Sequence, residues 1–290
     1  MPAISRRAVL IGGLGALGVA GLGAVGVETG VLPGKTTVDR LTGQLPPGVP
    51  SAAPGRTVGG SFVSARRNGV RTSWTIAYPP TTADARLPVL IALHGRGGNH
   101  HDAVTSLHLD RFLADAVAHG LPPFAIASVD GGDHDYWHPR RTGDTAGMVI
   151  DEFLPLLETN GLNTARIALL GWSMGGYGAL YLAGRLAGAR VACAVAESPA
   201  LWHSAGQSAD GAFDDAQDFD AHAIFGRLGL LAGVALRLDC GDQDGFAPVT
   251  RDLRAALSPT PAGGIEPGGH DSAYWRSQAP AQLAFVGTHL

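Results

Sequence analysis

The stretch Ile167-Ala168-Leu169-Leu170-Gly171-Trp172-Ser173-Met174-Gly175-Gly176 decides how the rest of the chain is read. Its four leading apolar residues carry no polar alternation, which is the pattern of a strand buried on both faces. Gly171-Trp172-Ser173-Met174-Gly175 then has the spacing G-x-S-x-G. A serine on a tight strand-to-helix turn has its hydroxyl lifted clear of the backbone, and glycines two before and two after it avoid clashes across that turn. Helical spacing over 177–186 follows, so the pentapeptide stands between strand and helix as a nucleophile elbow requires. The competing reading is a glycine-rich helix start capped by a serine.

Working outward, 58–64 and 72–78 read as strands joined by the turn-forming Asn68-Gly69, with Pro79-Pro80 ending the second. Then a theme repeats: short apolar run, glycine-rich or polar loop, amphipathic helix. Strands are expected at 89–93, 124–129, 191–196 and 234–238, and helices at 103–118, 147–157, 249–257 and from 273 to the end. Apolar strands alternating with helices predict an α/β fold, a mostly parallel sheet with helices on both faces. Ligands bind such sheets at the carboxyl ends of the strands. The loops that matter here all follow strand ends and should share one edge.

A serine is a poor nucleophile until a base takes its proton. In the α/β-hydrolase fold, which the elbow implies, an acid and then a histidine follow the serine in the chain. Ser173 is followed by His203, His222, His270 and His289. His270, in Pro267-Gly268-Gly269-His270-Asp271, lies in a loop just before the last helix, where the base is expected. His289 abuts the terminus, and His203 and His222 fall in a short lid-like segment as surface polar residues. The acid should come from the loop after the 234–238 strand, where Asp239 is still within the strand and Asp242 and Asp244 both fit. The tetrahedral intermediate needs two fixed N–H donors. One is the amide of Met174, after the nucleophile. The other is assigned to Arg96 in His94-Gly95-Arg96-Gly97-Gly98, where glycines let backbone approach substrate.

These segments resemble the esterases related to esterase D and to the mycobacterial antigen 85 mycolyltransferases. Four stretches carry the resemblance: residues 93–98, 171–178, 240–246 and Gly268-Gly269-His270-Asp271-Ser272-Ala273-Tyr274-Trp275-Arg276. It spans most of the body, from about residue 58 onward. It implies an acid in the pattern Gly-x-x-Asp-x-Phe, hence Asp244, and a second oxyanion donor at Arg96. The chain departs from antigen 85 in lacking its glutamate acid and any matching trehalose-binding pattern, so ester chemistry is implied rather than mycolyl transfer. The expected reaction is a two-step acyl transfer needing no cofactor. A carboxylesterase leads, with an envelope acyltransferase and a non-catalytic envelope-binding protein as alternatives. Trp137, in Asp135-Tyr136-Trp137-His138-Pro139, and Trp202, in Pro199-Ala200-Leu201-Trp202, follow strand ends. They line an acyl or sugar pocket, or they pack over the loops. The lid-like segment 202–226 is short, which predicts an open, shallow site.

At the N-terminus, Arg6-Arg7 precede an uncharged stretch from Ala8 to Val27, the pattern of a twin-arginine export signal or an anchor over residues 1–30. Seven glycines in that stretch weaken it as a spanning helix. The body, 56–290, is expected outside the cytoplasmic membrane, joined by a Gly/Pro/Thr/Ser-rich linker over 31–55. Membrane contact is expected through an uncleaved N-terminal segment alone. Across all 290 residues the net charge is −4 and no basic stripe occurs, which argues against a nucleic-acid partner and leaves a small-molecule or envelope-derived ester as substrate. Cys193 and Cys240 are read as two buried thiols on neighbouring strands, too staggered to bond. No Cys/His cluster has zinc-ligand spacing along the chain, so a metal is not indicated.

Overall fold

Apolar runs pair side by side into an eight-stranded sheet, described here in a computed structural model covering residues 46–80 and 86–290. The expected signal segment and most of the linker lie outside the described residues. Met1–Pro47 separates as one unit, described at its last two residues alone, and Gly48–Leu290 as another. The second unit begins ahead of position 56: Val49 packs on the core, and Arg111 donates to the Ala52 carbonyl at 3.1 Å.

Strands β1 (Thr57–Ser64) and β2 (Val70–Ala77) form an antiparallel hairpin turned at Asn68 and Gly69, both in the left-handed region. Then come β3 (Pro88–Leu93), α1 (Asp102–Thr105), α2 (Leu109–Ala118) and β4 (Ala125–Val129). The single helix expected over 103–118 is broken at His108, whose φ of 53° lies outside the right-handed helical region. A two-residue hairpin follows, β5 (Pro139–Arg140) and β6 (Gly143–Asp144), with no apolar run to announce it. Next are α3 (Thr145–Met148), a π turn (Val149–Phe153) and α4 (Leu154–Thr159). The elbow unit is β7 (Asn163–Trp172) and α5 (Met174–Arg190), followed by β8 (Val191–Glu197), α6 (Ala216–His222), β9 (Ala235–Gly241), α7 (Ala247–Ala256), β10 (Ile265–Glu266) and α8 (Ser272–Gly287).

The sheet order is β1-β2-β4-β3-β7-β8-β9-β10, antiparallel at β1/β2 and β2/β4 and parallel elsewhere. Alternate residues of each central strand enter two cores. Val89, Ile91 and Leu93 of β3 meet Phe153, Leu157 and α5 on one face. Leu90 and Ala92 meet Phe112 of α2 and Leu283 of α8 on the other. This is a mixed, mostly parallel sheet covered by helices on both faces, and it explains why the strands read as unbroken apolar runs. Cys193 pairs with Ala235, five positions before Cys240 on β9, and both thiols are free and buried. Burial pushes each up to about 12.

Candidate active site

Six loops gather at the carboxyl edge of the parallel strands, and the elbow is the tightest. Ser173 sits at φ 56°, ψ −120°, a conformation that costs of order 1–3 kcal/mol for a non-glycine residue. The turn holds because nothing else fits. A Cβ on Gly171 would lie 2.0 Å from the Gly175 carbonyl, and one on Gly175 would lie 2.0 Å from the Leu93 carbonyl. Backbone bonds fix the serine from β8: its amide donates to the Glu197 carbonyl at 2.9 Å, and its carbonyl accepts from Ala200 at 3.0 Å.

The Ser173 hydroxyl reaches His270 Nε2 at 2.9 Å, and His270 Nδ1 reaches Asp244 Oδ2 at 2.7 Å. Asp244 is enclosed, yet its carboxyl is held below the usual range. Burial pushes it up, but bonds from His270, the Phe246 amide at 2.8 Å and the Ser198 hydroxyl outweigh that. With Asp244 ionised, Nδ1 carries the imidazole proton and Nε2 faces the serine as an acceptor. Asp242 faces elsewhere: its Oδ1 accepts the Gly268 amide at 3.1 Å, tethering the loop that carries His270. Asp239 is on β9, paired with Arg237 at 2.7 Å.

Met174 occupies the first position of α5, where an amide has no helical carbonyl to reach. Across from it, Gly97 donates to Asp133 and Gly98 to Gly95, whereas the Arg96 amide has no acceptor among the described residues. The loop lies directly over the elbow, since a Cβ on Gly95 would be 3.4 Å from that of Ser173. His94 pins it there: its Nε2 accepts the Gly131 amide at 2.9 Å, which puts its proton on Nδ1, bonded to the Gly95 carbonyl at 2.8 Å. Burial lowers the His94 pKa and so favours this neutral ring. The Arg96 guanidinium bonds the Tyr136 phenol, which burial pushes up despite that partner.

The two tryptophans part ways. Trp137 is fully enclosed, its Nε1 donating to the His94 carbonyl at 3.2 Å and its ring wedged between Gly131 and Gly178. Of the two readings, packing over the loops is the one its geometry has; no face is left for a ligand. Trp202 is half-buried among Tyr136, Phe213 and Phe246, and Phe246 in turn faces the His270 ring at 5.5 Å. Trp275, quoted in the histidine motif without a role, sets its edge against His270 at 5.1 Å and 85° and donates to the Ser198 hydroxyl at 3.1 Å. Ser198 could not be found from sequence, because its place beside Asp244 depends on β8 lying next to β9. His203 is exposed and meets Asp252 at 2.9 Å. His222 differs from the surface residue expected: it is half-buried against Asp218 and His138.

Glu197 is a buried carboxyl whose two oxygens have no partner. Burial, then the nearby Asp239, pushes it well above the carboxylate range, so it is held as the neutral acid.

The sheet, with a serine elbow at the end of its central strand, is the α/β-hydrolase architecture. The family described as "Putative esterase" matches residues 67–286, and the chain belongs to that family. No curated protein matches the sequence. Among solved structures, a ferulic acid esterase is 21% identical with a TM-score of 0.71, covering 81% of this chain and 99% of that one. An S-formylglutathione hydrolase from Agrobacterium tumefaciens is 15% identical with a TM-score of 0.69, covering 83% and 97%. A fluorophosphonate-binding serine hydrolase from Staphylococcus aureus is 20% identical with a TM-score of 0.65, covering 81% and 99%. At these identities the likeness establishes the fold.

Proposed function

We propose that the protein is a serine carboxylesterase in which Ser173, His270 and Asp244 form the catalytic triad. The observation that carries this is the continuous chain of two hydrogen bonds, 2.9 Å and 2.7 Å, from the strained serine to an enclosed carboxylate. His270 Nε2 takes the Ser173 proton as Oγ attacks the ester carbonyl. The amides of Met174 and Arg96 hold the oxyanion. His270 then gives the proton to the leaving alcohol, an acyl-enzyme remains, and water activated by the same imidazole releases the acid.

A second reading, acyl transfer to a sugar or other envelope hydroxyl as in antigen 85, draws support from the openness of the site. The His270 side chain is 34% exposed, so acceptors larger than water can approach. Export of the body through the Arg6-Arg7 segment is the matching proposal for location. The activities of the similar structures supply the first substrates to test, a feruloyl ester and S-formylglutathione.

Labelling the full chain with a fluorophosphonate, native against Ser173→Ala, tests the assignment. Labelling lost in the mutant supports it, while a folded native protein that does not label moves the chain to a binding role on the same scaffold. Product analysis with a sugar acceptor separates hydrolysis from transfer. Trp202→Ala should alter KM among esters; identical turnover of every ester would remove Trp202 from the substrate site.

A further inference from the structure

Three side chains from two distant parts of the chain converge: His138, in the loop after β4, and Asp218 and His222, one turn apart on α6. We propose that they form a structural site for one divalent transition metal, Zn2+ fitting best, which fastens the insert between β8 and β9 to the body of the domain. This does not depend on the catalytic reading.

The ligand atoms, His138 Nε2, His222 Nδ1 and the Asp218 carboxylate, all lie within 4.8 Å of one another. His138 Nε2 is 3.3 Å from Asp218 Oδ2 and His222 Nδ1 is 2.8 Å from Oδ1. Ligand atoms around a tetrahedral Zn2+, with bonds of about 2.0–2.1 Å, are about 3.3 Å apart. The cluster therefore needs small side-chain shifts rather than a new backbone. The His138 side chain has no exposure, and those of Asp218 and His222 have 12% and 18%, which leaves an opening for a water as fourth ligand.

Without a cation the buried ring of His138 is poorly served. Its Nδ1 faces the Tyr136 carbonyl at 3.2 Å and its Nε2 faces the Asp218 carboxylate, two acceptors for a ring whose neutral form has one proton. A metal at Nε2 resolves the conflict: the proton sits on Nδ1 and donates to the carbonyl, the usual outer-shell arrangement of a zinc-bound histidine. On His222 the ring proton moves from Nδ1 to Nε2, and Nδ1 turns its lone pair to the metal. The groups around Asp218 leave it available. The Asp214 amide holds Oδ2 at 2.8 Å, and Arg140, 3.7 Å away, is engaged more closely by Asp214 at 2.9 Å. Two imidazoles and one carboxylate suit Zn2+, Ni2+ or Cu2+ and disfavour Mg2+ and Ca2+, which take oxygen ligands.

The test uses the full chain stripped with a chelator and dialysed, titrated with ZnCl2 and followed by calorimetry and by thermal unfolding. One equivalent should bind and raise Tm. Co2+ in its place should give the visible d–d bands of a four-coordinate site. His222→Ala, at the more exposed of the two histidines, should abolish the Tm rise and the bands, while His119→Ala, at an exposed histidine away from the cluster, should leave both intact. Absence of saturable binding by folded native protein would overturn the proposal. So would binding that persists unchanged in His222→Ala.

Discussion

Two carboxyl groups at the carboxyl ends of adjacent strands stand near the serine in space, and they are held in opposite states. Asp244, after β9, is enclosed but receives bonds from an imidazole, a backbone amide and a hydroxyl. Glu197, at the end of β8, is more deeply buried and neither oxygen has a partner. The first is ionised and the second neutral. Depth of burial and the number of donors aimed at the carboxyl act together at this edge, each bond to a charged acceptor being worth about 1.5–3 kcal/mol. In the proposed triad the charged group orients the base. The neutral one shares the back of the elbow, where its carbonyl holds the Ser173 amide.

The largest break comes at Asp244→Asn. An amide there cannot hold the Nδ1–H tautomer, and kcat should fall by about 10⁴; ester hydrolysis under saturating substrate measures it. Ser198→Ala removes one donor from the ionised acid and should cost roughly ten- to a hundredfold in kcat/KM, the worth of one bond to a charged group. Because that donor helps hold the Asp244 pKa down, the acid limb of the pH–rate profile should also move to higher pH. Asp242→Asn, in the same loop but off the imidazole, should cost less than about tenfold, as the asparagine keeps an oxygen to accept the Gly268 amide and only the charge assistance of that bond is at stake. Equal losses at 242 and 244 would mean that position in the loop, not charge at His270, is what matters.

Glu197→Gln is the smallest expected effect on turnover and the sharpest on pH. A carboxyl whose folded pKa is raised favours the fold fully below its unfolded value, about 4.3, and loses that contribution as pH rises toward the folded pKa. The mutant cannot ionise, so urea unfolding should show native stability declining between weakly acidic and neutral pH relative to the mutant. Asp244 has the opposite sign. Its contribution is present above about 3.9 and is lost as pH falls through its lowered folded pKa. Parallel pH–stability curves for native protein and Glu197→Gln would show Glu197 to be ionised, and the contrast would collapse.

How much of this was legible depended on the range of the interaction. The elbow glycines, the apolar strand runs and the order serine, acid, histidine are local or ordinal signals, so the sheet could be read from residues alone, as could the candidates Ser173 and His270. The Asp242–Asp244 choice could not, because two carboxylates two residues apart in a loop differ in direction and not in any sequence property; resemblance alone favoured Asp244. The break at His108, the two-residue hairpin β5–β6 and edge strand β10 left no periodic trace, being too short for one.

The sequence by itself determined a parallel sheet with a serine on its sharpest turn, since steric exclusion at Gly171 and Gly175 and unbroken apolar runs act within a few residues. The tertiary structure decided which groups meet. It enclosed Trp137 where a pocket wall had been an equal reading, placed Ser198 and Trp275 around the acid and base, left Glu197 without partners, and set His138 against Asp218 and His222, 80 residues away. Charge state and coordination depend on through-space distances of a few ångströms, and chain spacing carries no record of those until the strands have chosen their neighbours.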